Sequence, residues 1–134
     1  PILELRPKNK VLARADGFPN YEWKLNSQFD KSHPKYLELN SHFDLERTDY
    51  FQTGLIYFDT NIVNNRTFDE ILFLIKKYPI TVTNEQGILN IYFLFIEKKY
   101  LELETFVNGK LSYFYWKIKD TDVIITKATT EKNK

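Results

Sequence analysis

The ten residues Tyr50 to Asp59, YFQTGLIYFD, constrain the fold more than any other stretch of the chain. Aromatic and branched side chains fall on both parities, so both faces of a strand here would be apolar. Such a strand is expected in the interior of a sheet. The period then changes. Thr67-Phe-Asp-Glu70 has the form of a capping box, with Thr67 at the N-cap and Glu70 reaching back. Phe68, Ile71, Leu72, Ile75 and Tyr78 recur at helical spacing, and Pro79 stops the pattern. Ile80 to Thr83 reads as a short strand, and Thr83-Asn-Glu-Gln86 as a second capping box. It opens Gly87 to Ile96, which is apolar all round and predicts an enclosed helix packed on the Tyr50–Asp59 strand.

Upstream, Val11, Leu12 and Ala13 before Asp16-Gly17 predict a buried strand ending in a turn. Gly17 to Glu46 is polar and carries Pro19, Asn26, Pro34 and Asn40. It predicts a long surface excursion with a short helix around Tyr21 to Phe29. Downstream, Leu101 to Phe106, Leu111 to Trp116 and Val123 to Thr126 read as short strands, the first two joined by a hairpin at Asn108-Gly109. Lys127 to Lys134 is a polar tail expected to fray. Strand and helix signals alternate through Tyr50 to Ile96, and the closing strands look antiparallel. The expected class is α/β, a mixed sheet with flanking helices. A length of 134 residues fits one domain, 1–134, and no internal boundary is visible.

Composition removes several chemistries. Nineteen basic against eighteen acidic residues leave a net charge of +1, so no general attraction to nucleic acid is expected. With no cysteine, disulfides, thiolate metal sites and a cysteine nucleophile are excluded. The two histidines, His33 and His42, are wrongly spaced for a histidine-rich metal site. No apolar run approaches the ~20 residues of a membrane span, and no signal peptide is visible, so a soluble chain is expected. The chain begins at Pro1 and has no methionine. A complete small protein that lost its initiator and a piece of a longer chain are both compatible with that. Compartment and oligomeric state are not readable.

Two polar clusters stand out. Gly54 interrupts the apolar strand, which signals either a bulge or close packing against a helix, ligand or other backbone. Beside it, Gln52 and Thr53 offer an amide and a hydroxyl suited to sugar hydroxyls. Asn84-Glu85-Gln86 opens the second helix. As first-turn residues they are explained by the helix dipole and by capping of Thr83. As a polar entrance to a buried helix after a strand, they stand where open α/β sheets place ligands.

YFQTGLIYFDTNIV followed about thirty residues later by NEQGILNIYF resembles the family 8 glycosyltransferases, whose corresponding segments read like FNAGVMLIN and PDQDILN. The resemblance runs from Asp16 to about Ile96. It implies a partial GT-A fold, the C-terminal, acceptor-side portion of a transferase that moves a hexose from a nucleotide sugar, usually UDP-linked, with retention and usually with manganese. The partners implied are that donor and a sugar or protein acceptor. By resemblance, Gln86 and Glu85 take catalytic positions, Gln86 beside the anomeric carbon and Glu85 in place of an aspartate. Asp16, Gln52, Thr53 and Gly54 are substrate-binding, Gln52 standing where the family has an asparagine. Gly87 replaces a second aspartate, and Asn90 matches as a packing or capping residue. Upstream of the resembling segments, where the family carries its aspartate-x-aspartate motif, this chain has none. Lys127 stands nearest to where a late metal-binding histidine would fall. Manganese is therefore not expected to bind tightly to this chain, and the isolated chain is expected to be inactive. The alternative expectation is a non-catalytic sugar- or protein-binding remnant of the same fold.

Three lesser signals have plainer explanations. Asn65-Arg66-Thr67 is an N-glycosylation sequon whose Thr67 is already accounted for as a cap. Tyr113, Tyr115, Trp116, Lys117 and Lys119 suit a half-buried strand better than a nucleic-acid surface. Pro1 as an N-terminal nucleophile would want a long amphipathic helix over positions 8 to 30, and none is visible.

Overall fold

Five consecutive buried residues, Val11–Ala15, form β1. In the computed structural model, which describes residues 7–18, 20–103, 106–107 and 110–111, β1 is the middle strand of three. It pairs antiparallel with β2 (Phe51–Phe58) and parallel with β3 (Tyr100–Glu102), giving the order β2-β1-β3. The sheet is mixed and flanked by helices, an α/β arrangement. These elements belong to the unit Pro7–Glu102. In the other unit, β4 (Phe106–Val107) pairs antiparallel with β5 (Lys110–Leu111), Val107 opposite Lys110. That pairing is the one an Asn108-Gly109 hairpin requires, although 108–109 lie outside the described residues. So do 112–116, 123–126 and the tail 127–134.

The expectation that Tyr50–Asp59 is interior is corrected. Among the described residues β2 is an edge strand; Phe51 is buried, while Gly54 and Phe58 are exposed. Aromatic and branched residues favour any pleated, half-buried surface, so the run does not by itself specify two covered faces. Phe51 alone reaches far inward, stacking on Tyr100 with ring centroids 4.9 Å apart.

The stretch Gly17 to Glu46 is likewise no mere surface excursion. A 3₁₀ turn at Leu25–Gln28 falls inside the predicted helix window, and α1 (Lys35–His42) was not foreseen. Leu25, Phe29, Tyr36, Leu39 and Leu45 all enter the core. They fall at irregular gaps of three to seven residues among polar neighbours, a signal too sparse to dominate the local composition. Glu46 fixes this layer by accepting from Tyr36 Oη at 2.5 Å and Asn26 Nδ2 at 2.6 Å.

Those two donors hold the Glu46 carboxyl below its ordinary range, Tyr36 contributing most. A carboxyl depressed in the folded state stabilises fully above its unfolded value of about 4.3, and that stability is lost as pH falls through the folded value. The thermal midpoint is therefore expected to fall on acidification below about pH 4. Glu46→Gln should flatten that acid limb in a calorimetric pH series. An unchanged slope would show that Glu46 does not fasten the layer.

Helix α2 (Thr67–Lys77) has the predicted bounds but not the predicted cap. The N-cap is Arg66; Thr67 Oγ1 accepts from Asn64 N at 3.0 Å, and the Glu70 carboxylate takes Tyr92 Oη at 2.8 Å instead of reaching back. Its inward stripe is Thr67, Ile71, Leu74 and Tyr78, leaving Phe68 and Ile75 exposed. The expected strand Ile80 to Thr83 reduces to one antiparallel bridge, Phe29 with Thr81. Helix α3 (Gln86–Asn90) continues into wide π-helical turns over Ile91–Ile96, with Glu97 N donating to Tyr92 O at 2.8 Å. Gly87, Ile88 and Asn90 through Phe93 are buried, so the predicted enclosure holds for the first turns, whereas Ile96 is exposed. No helix among the described residues is long and apolar enough to cross a membrane.

Candidate functional site

The bulge that Gly54 signalled is present and large. Pairing runs Val11 with Phe58, Leu12 with Tyr57 and Ala13 with Ile56, then resumes at Ala15 with Phe51. Arg14 alone on β1 therefore stands against Gln52, Thr53, Gly54 and Leu55 on β2. Extra residues on one strand lose their ladder partners and must find others. Here those partners are side chains.

Asn90, fully buried, grips the strand at the base of the bulge. Its Oδ1 accepts from Phe51 N at 2.8 Å, and its Nδ2 donates to Phe51 O and Gln86 O, both at 2.9 Å. One turn earlier, Gln86 Oε1 accepts from Thr53 N at 3.1 Å. Thr53 Oγ1 is 2.9 Å from Glu85 Oε1 and 3.3 Å from Gln86 Oε1. Gln86 Nε2 donates to Gln28 Oε1 at 3.0 Å, where Thr83 Oγ1 also donates, at 2.5 Å. Gln86 is thus not a simple cap for Thr83: only its backbone N–H meets Thr83 O, while its amide crosses to the bulge. Asn84, entering the helix, has φ +40°, a left-handed conformation that asparagine tolerates better than most residues.

On the other flank, Asp16 leaves β1 and accepts from Gln52 Nε2 and, at 2.5 Å, from Tyr50 Oη. Burial, and then the Asp16 carboxylate, push the Tyr50 phenol well above its ordinary range. It stays a neutral hydroxyl across the physiological range.

All six predicted site residues thus gather on the bulge. Asp16 meets Gln52, and Thr53 meets Glu85 and Gln86, with Gly54 exposed next to Thr53 on the strand. Sequence reasoning missed Gln28, Tyr50 and Thr83 as members of the network. Gln28, only 4% exposed, had one legible signal: a polar residue three places from Leu25 and next to Phe29 in a turn that proves buried. At Gly87 the packing is tight. A Cβ there would lie 3.0 Å from Phe29 Cζ, 3.1 Å from its Cε1 and 3.2 Å from Thr81 Cγ2. The ring of Phe29 occupies the space that a larger residue at position 87 would need.

Chemically the cluster offers amides, hydroxyls and two carboxylates at the surface. Such groups can exchange mutual hydrogen bonds for those of a polyhydroxylated ligand. They do not fit the manganese that the resemblance implies. Both Asp16 oxygens are engaged by Tyr50 and Gln52, and Glu85 is held at Thr53. Among the described residues no group of three or more histidine, aspartate or glutamate side chains converges. Comparison with known families, curated proteins and solved structures finds no match to this chain.

Proposed function

We propose that this chain is the acceptor-side part of a glycosyltransferase-like domain of the GT-A kind, and that the β2 bulge holds a hexose. The complete protein would transfer that hexose from a nucleotide sugar, of the UDP class, to a sugar or protein acceptor. The observation that carries the reading is the contact of Thr53 with Glu85 and Gln86. It joins, across more than thirty positions, the two segments whose pairing made the resemblance. Gln52 and Gln86 supply amides for the sugar rim, Thr53 a hydroxyl, and Asp16 and Glu85 carboxylate acceptors. Gly54 leaves the middle of the bulge without a side chain.

The second reading, a sugar-binding remnant without transfer, draws on Phe29. Its ring closes position 87, where the resembled pattern carries a carboxylate.

Gln86→Ala tests the site. Saturation-transfer NMR with methyl hexosides should detect binding to the wild type and at least a tenfold loss in the variant. Because Gln86 also serves Thr53 N, the variant should lose about 1–3 kcal/mol of stability. Unchanged hexoside binding by a folded Gln86→Ala would remove Gln86 from the site. Hydrolysis or transfer of a UDP-hexose by the full-length protein separates the enzyme from the remnant.

A further inference from the structure

We propose that Trp23 is the platform on which the ring of the bound hexose stacks, an inference that rests on the reading of the bulge as a saccharide site. Trp23 is 51% exposed, and among the described residues its indole makes no ring contact or hydrogen bond. A lone exposed aromatic needs no explanation by itself. The way this one is held does.

Trp23 sits on the loop that leaves Asp16, and the chain is pinned on both sides of it. Before it, Tyr21 N donates to Gly17 O at 2.6 Å, and Tyr21 Oη donates to Glu102 Oε1 at 2.7 Å. Tyr21 adopts φ +54°, a left-handed conformation that is rare for a bulky residue and strained. Gly17 lets the loop fold back so closely that a Cβ there would stand 3.0 Å from Tyr21 Cα and 3.3 Å from Trp23 O. After it, Lys24 Nζ meets Asp49 Oδ1 at 2.6 Å, and Leu25 N donates to Thr48 O at 2.8 Å. Asp49 precedes Tyr50, whose hydroxyl is on Asp16. The backbone at Trp23 is therefore held against Gly17, the chain neighbour of Asp16, while Lys24 is held at Asp49, the chain neighbour of Tyr50.

A connecting loop has no need of strain and four anchors to carry an exposed indole. A pyranose ring has hydroxyls around its rim and C–H groups on its faces. The rim suits amides and carboxylates, and a face suits a flat, apolar, rigid aromatic surface. A pre-fixed indole loses little freedom when a sugar covers it.

The test uses the full chain with methyl glucoside and methyl galactoside, followed by saturation-transfer NMR and tryptophan fluorescence. The difference between wild type and Trp23→Phe isolates Trp23 emission from that of Trp116. A shift of that emission at saturating hexoside is expected, with affinity lowered at least tenfold in Trp23→Ala and less in Trp23→Phe at unchanged melting temperature. If a hexoside binds but leaves Trp23 emission and Trp23→Ala affinity unchanged, the platform role is overturned and the saccharide site stands. If no hexoside binds the wild type, the saccharide reading falls and the platform with it. Should Trp23→Ala fail to fold, the wild-type emission and Trp23→Phe still decide.

Discussion

Asn90→Ala is expected to lower the free energy of unfolding by about 3–5 kcal/mol, a large part of the 5–15 kcal/mol typical of a domain. Asn90 is the only side chain among the described residues that satisfies both backbone groups of one β2 residue, accepting from Phe51 N and donating to Phe51 O. Phe51 is itself fully buried, so neither group can turn to water when the amide is removed. Each orphaned group costs about 1–3 kcal/mol, and the cavity adds to that. Asn90→Leu fills the volume without the hydrogen bonds and should recover only the cavity part. Urea unfolding followed by circular dichroism measures both, with an unchanged slope as the check on two-state behaviour. A loss below 1 kcal/mol in Asn90→Ala would mean that the ladder holds the bulge without the helix.

That dependence explains which parts of the architecture were legible. Val11–Ala13, α2 to within a residue of its ends, and the enclosed start of α3 followed from local pattern: an apolar run before a turn, a helical period closed by Pro79, and an apolar run behind a polar entrance. The edge position of β2 did not. Whether an apolar strand is central depends on which strands arrive beside it, and here it is β1, shorter and plainer, that receives two neighbours. Helix α1 escaped because Tyr36 and Leu39 are its only buried residues. The site was legible at Gly54, since a glycine amid large residues marks a place where the ladder gives way. Gln28 and Tyr50 were not, because their membership depends on tertiary contacts with Gln86 and Asp16. The same geometry changes what Gln86 means. Its amide is both a structural brace for Thr53 and a candidate sugar contact, so activity and stability cannot be separated by that residue alone.

Gly87 gives the cleaner separation. Gly87→Asp introduces the carboxylate that the resembled pattern carries and is expected to destabilise the protein by about 4–6 kcal/mol. Overpacking a core position costs about 1–3 kcal/mol, and the new Cβ would press on the Phe29 ring and Thr81 Cγ2. The carboxylate beyond that Cβ would enter a buried position beside Phe29, itself 3% exposed, and leaving an unpaired charge there costs several kcal/mol more. Gly87→Ala gauges the steric part alone. Alanine gains up to about 1 kcal/mol of helix propensity over glycine, so its net loss should stay within about 2 kcal/mol. Truncating Phe29 opens the space. Phe29→Ala by itself should cost about 3–5 kcal/mol, yet Phe29→Ala with Gly87→Asp should cost at least 1 kcal/mol less than the sum of the two single changes. Chemical denaturation of the four proteins closes that cycle. Strict additivity would mean that Phe29 does not exclude a carboxylate from position 87.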